Sequence, residues 1–452
     1  MKKINYVALF MVFFVANNAY TQISTEKYQW KSREEFNVQM GLQDPFLKPD
    51  GSRVKSQNEW PEQRKYIIAM LEHYQYGKRP PTPKDVTVKE TFSKDTLDGT
   101  ATRKLYTMTI NRNGKSLDFH FGLLKPKGNG PFPVIIKNGD ISIEIDPKSE
   151  SHGIPPEIFL QAIKRGYIIC EYRRTDLSSD ISGTLEENRN NGVFPLYPEP
   201  EYTWGTIAAF AWGTSLIIDY FEKVNFVDIN KIAATSWSRG GKTAFCAGIF
   251  DERIAVTAPS SSGLGGTASH RYFELAAMRD QTIGRHITRN PHWWSAEYYK
   301  LAGFEALAPF DSHFGRAAIA PRAFYNDHSY QDYWANPFGT WLTYEAAKMV
   351  YKWLGVEDNI AMHWRTGGHA QNVIDWTALM DFCDWYYYGN TDFADYYYLW
   401  GARTDNPHPF KYNAYPTVRL PINWDVPGSN TITPPVYWGK PKERKLWDKS
   451  KD

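Results

Sequence analysis

The segment that most constrains the fold of this chain is residues 233–245, which read Ala-Ala-Thr-Ser-Trp-Ser-Arg-Gly-Gly-Lys-Thr-Ala-Phe. It predicts a strand, then a sharp turn that presents Ser238, and then a helix. Small residues stand two positions before and two positions after this serine, at Ser236 and Gly240. The pattern is typical of a nucleophile elbow, a strained turn that exposes a serine hydroxyl above a sheet. Ser238 is therefore the first candidate catalytic residue.

Two cations follow the serine, at Arg239 and Lys242. A solvated helix start is the simplest explanation for both. Cations are not preferred at the positive end of a helix, however, which argues against that explanation for Arg239. Hydrolysis of a neutral ester requires no such charges at the elbow. We therefore interpret the two cations as part of a site for an anionic substrate.

Strands and helices alternate along the middle and later parts of the chain. This order predicts the α/β class, with a mostly parallel central sheet covered by helices on both faces, as in the three-layer α/β-hydrolase fold. Before it, residues 60–76 have helical spacing, and residues 85–125 alternate as strands around an Asn113-Gly114 hairpin signal. The predicted strands and helices lie at residues 133–139, 158–165, 167–172, 204–224, 231–235, 320–325, 340–354 and 360–365.

The N-terminus has the parts of a secretory signal peptide, which we assign to residues 1–21: a basic start, a short apolar run and small residues near position 20. We expect residues 22–452 to form one catalytic domain that is secreted or periplasmic. Its N-terminal extension spans about residues 22–84. A tail rich in Pro and Trp, about residues 406–452, is expected to wrap the surface.

Composition excludes some functions. A formal net charge of +2 over 452 residues argues against a nucleic-acid-binding protein. No later segment approaches 18 uninterrupted apolar residues, so we expect no membrane anchor. The three cysteines, Cys170, Cys246 and Cys383, are expected to be buried free thiols, with one disulfide as the alternative. Aromatic residues make up 16% of the chain, which suits stacking on sugar rings but also an ordinary core.

A serine nucleophile needs a base within hydrogen-bond reach and a carboxylate to orient that base. In α/β hydrolases the chain order is serine, acid, histidine. His369 lies in a glycine-rich loop just after the last predicted strand, and Asp332 and Asp327 are the two carboxylates after the preceding strand. The other histidines have no spacing typical of a zinc site, and residues 263–266 lack the context of a dinucleotide fingerprint. No metal or cofactor is expected, and the protein is expected to be a monomer.

The elbow Ser-Arg-Gly-Gly-Lys, residues 238–242, resembles the Ser-Arg-x-Gly-Lys motif of the glucuronoyl esterases, carbohydrate esterase family 15. The resemblance implies that Arg239 helps to hold the oxyanion, that Lys242 binds hydroxyls of the uronate, and that Trp334 packs on the sugar. It extends over most of the chain, with further similar segments at residues 60–64, 73–80, 204–213, 262–266, 291–294 and 332–337.

Two departures from the family pattern concern the acid and the substrate. Many members have a glutamate where this chain has Ser261, which strengthens Asp332 as the acid, because other bacterial members have it after the later strand. Residues 281–287 lack the glutamate that usually contacts the sugar. The resemblance implies a secreted serine esterase acting on uronic-acid esters of plant or algal polysaccharide. The alternatives are an acetyl-xylan-type deacetylase, a prolyl-oligopeptidase-like peptidase, and an inactive polysaccharide-binding homologue.

Overall fold

The computed structural model describes residues 27–144, 154–273, 277, 281–390 and 420–429. The predicted signal peptide and most of the predicted C-terminal tail lie outside the described residues. Within them, no helix combines the length and the apolar character that crossing a membrane requires.

A single sheet runs through the described part of the chain, where it has nine strands in the order β1-β2-β3-β5-β4-β6-β7-β8-β9. Strands β1, β2 and β3 pair antiparallel, and β3 pairs antiparallel with β5. All remaining pairs are parallel. The strands are β1 (Asp85–Thr96), β2 (Ala101–Arg112), β3 (Lys115–Pro126), β4 (Phe132–Gly139), β5 (Ile168–Arg173), β6 (Val227–Trp237), β7 (Val256–Ser260), β8 (Ala323–Ser329) and β9 (Ile360–Arg365).

Helices cover both faces of this sheet. They are α1 (Trp60–Leu71), α2 (Pro156–Lys164), α3 (Leu185–Arg189), α4 (Thr206–Phe221), α5 (Arg239–Phe250), α6 (Ile283–Arg289), α7 (Ala296–Tyr299), α8 (Ser312–Ile319), α9 (Pro337–Trp353) and α10 (Val373–Tyr388). The predicted α/β class and three-layer arrangement are thus confirmed.

The two cores follow from the alternation of side chains along each strand. On β4, Val134 and Ile136 join the core beneath α1, α4, α5, α8 and α9, whereas Ile135 joins the core beneath α2 and α10. On β5, Ile168 and Ile169 divide in the same way. A strand that is buried on both faces has a continuous run of apolar residues, and such runs predicted β4 and β5 from the sequence.

The described part of the C-terminal tail packs against the N-terminal extension. Ile422 bridges to Leu42, and the indole N–H of Trp424 donates to the Leu42 carbonyl at 3.0 Å. The Trp424 ring also contacts Phe46 and stacks on His313. This segment therefore closes over the α1–α8 side of the molecule.

The strand predicted at residues 320–325 differs most from the structure. Observed β8 begins at Ala323 and continues to Ser329, so Asp327 lies inside the strand rather than on the loop after it. All seven residues of β8 are buried. Its second half contains polar residues such as Asn326 and Asp327, so the hydrophobic pattern did not predict that this part is a strand. The three cysteines are free and buried.

Candidate active site

Ser238 stands at the turn between β6 and α5. Its backbone has φ 56° and ψ −123°, a left-handed conformation that is strained for a residue with a Cβ. The Ser238 amide donates to the Ser260 carbonyl on neighbouring β7 at 3.0 Å, which fixes the turn to the sheet. Ser238 thus lies at the start of a 12-residue helix, where backbone N–H groups stabilise negative charge.

The glycines after the serine are required by close packing. A Cβ at Gly240 would lie 2.1 Å from the Ser236 hydroxyl oxygen, and one at Gly241 would lie 2.6 Å from the Ser260 carbonyl oxygen. Ser236 occupies the position that is glycine in the usual elbow pattern. Its hydroxyl donates to the Asn138 carbonyl on β4 at 2.9 Å, so this buried hydroxyl is satisfied.

His369 and Asp332 come together. His369 lies on the loop between β9 and α10, and its Nδ1 is 2.7 Å from Oδ2 of Asp332, which follows β8. A carboxylate only accepts, so Nδ1 carries the proton of the neutral imidazole and Nε2 keeps its lone pair. Nε2 makes no hydrogen bond to any residue that the structure describes. This is the tautomer that a general base for serine requires.

Asp327, the other candidate acid, points into a different environment. The side-chain amide of Gln371 donates to its Oδ2 at 3.4 Å. Burial, and next the nearby Asp375 carboxylate, raise the pKa of Asp327 well above its usual value. Both effects favour the neutral acid, whereas orienting an imidazolium requires a carboxylate. The geometry therefore favours Asp332 over Asp327.

Ser261, at the position where many family members carry the acid, is fully buried on the neighbouring turn. Its φ is 39°, and its amide donates to the Asp327 carbonyl at 3.2 Å. The Ser261 hydroxyl has no hydrogen-bond partner among the described residues. This residue therefore provides no charge for His369.

Arg239 is held by a buried carboxylate that the sequence did not single out. Asp180 is 2% exposed at its side chain and forms an ion pair with the Arg239 guanidinium. It also accepts from His292 Nε2 at 3.0 Å and from the Trp293 indole N–H at 2.9 Å. The guanidinium lies over the Trp293 ring, 4.8 Å from its centre.

This network keeps Asp180 charged. Burial alone raises the pKa of Asp180, but the His292 hydrogen bond and the Arg239 charge outweigh burial and hold the pKa below its usual value. The one available signal was the segment of residues 291–294, which the resemblance included without assigning a role to His292 or Trp293. The sequence around Asp180 contains no pattern that predicts its ion pair with Arg239.

Lys242 lies one turn into α5 and is 4% exposed. Its ammonium donates to the Ser262 carbonyl and lies 5.8 Å from the centre of the Trp293 ring. Burial, and next the charge of Arg239, lower the pKa of Lys242 to about 7. A lysine with this pKa gains or loses a proton near neutral pH, and it can donate hydrogen bonds in either form.

Trp334 and His369 form the open side of the site. The Trp334 ring is 42% exposed and meets the His369 ring edge to face, with centroids 4.9 Å apart. Among residues 281–287, where the sugar-contacting glutamate is missing, His286 is buried and accepts from the Trp294 indole at 3.1 Å. Burial, and then the charge of Lys242, lower the pKa of His286 well below its usual value.

The predicted site residues therefore share one edge of the sheet. Ser238, Asp332 and His369 follow β6, β8 and β9, whose carboxyl ends meet because β6 to β9 are parallel. The hydrogen bond from Ser238 to His369 Nε2 is not formed. Such bonds are often long before substrate binds and shorten in the reacting complex.

Comparison with known proteins identifies similar chains. A family model described as glucuronyl esterase, fungi, matches residues 108–355. A carbohydrate esterase from an unknown prokaryotic organism is 28% identical over 78% of this chain and 90% of its own length. A 4-O-methyl-glucuronoyl methylesterase 1 of Phanerochaete chrysosporium is 31% identical over 73% of this chain and 65% of its own length.

A solved structure agrees with these matches. The family 15 glucuronoyl esterase from Caldicellulosiruptor kristjansonii superposes with a TM-score of 0.65 and is 30% identical. The match covers 78% of this chain and 92% of that chain.

Proposed function

This chain belongs to the glucuronoyl esterase family, and on that premise we propose that it is a serine esterase that hydrolyses esters of 4-O-methyl-glucuronic acid. The observation that carries the proposal is the Asp332–His369 hydrogen bond of 2.7 Å, at the edge of the sheet where the elbow presents Ser238. We assign the three residues to a catalytic triad.

In the first half of the reaction, the Ser238 hydroxyl attacks the ester carbonyl carbon while His369 Nε2 takes its proton. Asp332 fixes the tautomer and stabilises the imidazolium that forms. The tetrahedral intermediate collapses when the bond to the alcohol oxygen breaks. His369 returns its proton to that oxygen, and the uronic acid remains as an acyl ester on Ser238. A water molecule activated by His369 then releases the free uronate by the same steps.

Arg239 acts on the charge that develops during these steps. A uronate ester carries no charge at the reacting carboxyl group until the nucleophile attacks, so a cation there stabilises the oxyanion more than the bound substrate. The Asp180 ion pair and the Trp293 ring hold the Arg239 guanidinium in place before substrate arrives. Stabilisation of the oxyanion, rather than binding of a substrate that is anionic in its ground state, therefore explains why a cation stands beside the serine.

Lys242 and Trp334 are proposed to bind the sugar. Lys242 offers N–H donors to ring hydroxyls, and the exposed Trp334 face offers an apolar surface beside His369. The substrate is then a glucuronoyl ester carried by a polysaccharide. We further propose that residues 1–21 direct export, and that residues 22–452 act as one catalytic domain outside the cytoplasm.

The alternative activities are separated by a panel of substrates. Hydrolysis of benzyl glucuronate and methyl glucuronate is measured beside acetylated xylan and a peptide anilide. The proposal predicts turnover of the glucuronate esters, with kcat/KM at least about tenfold higher than for the other two. Preferential deacetylation of xylan would favour a deacetylase, and reaction with none of the four would favour a polysaccharide-binding protein.

A further inference from the structure

A buried arginine donates hydrogen bonds to the backbone of the loop that contains His369. Arg365 is the last residue of β9, and its side chain is 2% exposed. Its Nη1 donates to the carbonyls of Thr366 and Gly368 at 3.0 and 3.1 Å, and its Nη2 donates to the Ala370 carbonyl at 2.6 Å. The guanidinium thus bonds the backbone immediately before and immediately after His369.

Asp375 holds this guanidinium from the other side. Both of its carboxylate oxygens lie 2.7 Å from Arg365 Nε. Asp375 is itself fixed in the first turn of α10, where it accepts the Asn372 amide at 2.9 Å in a capping box. A buried guanidinium is tolerated only when it is paired and its donors are satisfied, and here the carboxylate and three carbonyls engage four of its five N–H groups.

The loop is also tied to the segment that carries Asp332. The Gly367 amide donates to the Gln331 side chain at 2.6 Å, and the Ser329 hydroxyl donates to the Gly367 carbonyl. Gly367 has φ +103°, and a Cβ there would lie 3.3 Å from Arg365 Nη1, so the chain wraps closely around the guanidinium. The loop that contains His369 and the segment that contains Asp332 are therefore hydrogen-bonded to each other.

We propose that Arg365, paired with Asp375, is a positioning residue that sets the orientation of His369 for proton transfer to and from the nucleophile. The inference rests on the proposed function, in which His369 is the base. A planar fork is needed because the bonded carbonyls and the carboxylate point at the arginine from different directions; a lysine ammonium cannot reach all of them. A displacement of about 1 Å in a catalytic group lowers turnover roughly 100-fold.

The test compares Arg365→Lys with a matched variant elsewhere. Arg322 also donates to three backbone carbonyls, those of Gly248, Asp251 and Ile254, but it precedes β8 at the opposite edge of the sheet. Arg365→Lys is expected to lower kcat for benzyl glucuronate 10- to 100-fold with KM within about twofold. Arg322→Lys is expected to lower the unfolding midpoint in urea but to leave kcat unchanged.

A second pair covers the case in which Arg365→Lys does not fold. Asp375→Asn keeps the shape of the side chain that pairs with Arg365 but removes its negative charge. Asp251→Asn makes the same change at the Asp251–Arg253 ion pair. A fall in kcat for Asp375→Asn alone supports the proposal. Wild-type kcat in folded Arg365→Lys or Asp375→Asn, or an equal fall in the matched variants, overturns it.

His369→Ala, measured in parallel, separates failure of the proposed triad from failure of the positioning role of Arg365. If His369→Ala retains wild-type turnover, the proposed triad itself is wrong. If His369→Ala is inactive while Arg365→Lys turns over at the wild-type rate, only the positioning role is wrong.

Discussion

At the scale of single residues, the site depends on how buried charges are paired. Arg239 lies next to the nucleophile, yet its place is set by Asp180, whose side chain is 2% exposed and holds three donors. Lys242 lies one turn away, and no carboxylate among the described residues hydrogen-bonds to it; it is bonded to a carbonyl instead. The two cations therefore respond differently to substitution.

Replacing Asp180 with Asn tests the support of Arg239. The amide oxygen retains the bonds from His292 and Trp293, but the charge that orients the guanidinium is lost. We expect kcat for benzyl glucuronate to fall about 10- to 100-fold, since losing one oxyanion donor costs about 100-fold or more. Asp219→Asn, at the half-buried Arg253 ion pair, is the control. Unchanged kcat in folded Asp180→Asn would show that Arg239 needs no such support.

Lys242 makes stability depend on pH. Its pKa is about 7 in the folded protein and returns toward 10.5 on unfolding. Between these values the unfolded chain binds more protons, so the free energy of unfolding rises with pH, by an amount on the order of a few kcal/mol. Lys242→Met removes this rise, whereas Lys300→Met, at an exposed lysine, leaves it in place. Urea denaturation at pH 7 and pH 9.5 measures the difference; an identical pH slope in wild type and Lys242→Met would refute the role of burial.

At the scale of elements, the β6–Ser238–α5 turn is the part that the sequence predicts best. Strand, serine and helix are contiguous, and a Cβ at Gly240 or Gly241 would lie within 2.6 Å of an oxygen atom. The His369 loop was also predicted, because glycines follow a recognisable strand. Asp180 and Arg365 were not, because their partners are brought close by the fold, from segments about 59 and 10 residues away in the sequence.

Substituting Gly240 with Ala tests the packing of the elbow. The new methyl group meets the Ser236 hydroxyl and the Asn138 side chain, so α5 must shift away from β6 and displace Ser238. We expect a loss of about 1–3 kcal/mol in the free energy of unfolding and a fall in kcat. Gly284→Ala, in helix α6 with open space around it, should be neutral or stabilising by up to about 1 kcal/mol. Equal stability of both variants would contradict the packing argument.

At the scale of the whole molecule, the edge of the sheet that carries the proposed triad and the described C-terminal segment, residues 420–429, are separate features. The β6–β9 edge carries the proposed triad, whereas the described C-terminal segment packs against Leu42 and Phe46 in the N-terminal extension. The sequence predicted a tail on the surface, and its composition indicated no specific partner. That pairing is long-range, so only the folded chain reveals it.

Two tryptophans distinguish stability from substrate binding. Trp424 is 6% exposed and fills the contact between the tail and the N-terminal extension, so Trp424→Ala should cost about 3–5 kcal/mol of unfolding free energy. Its kcat in the folded fraction should remain that of wild type. Trp334 is 42% exposed, so Trp334→Ala should keep the unfolding free energy and raise KM for glucuronate esters severalfold. Thermal melts and steady-state kinetics on both variants check this; exchanged outcomes would contradict it.

We propose Ser238, at a strained turn between β6 and α5, as the nucleophile of this esterase. Turnover of benzyl glucuronate by Ser238→Ala tests it most directly, with circular dichroism to establish that the variant is folded. We expect kcat to fall by at least about 10⁴-fold while the unfolding midpoint changes little, because removing a serine nucleophile eliminates the covalent route. Turnover at the wild-type rate by folded Ser238→Ala would contradict it.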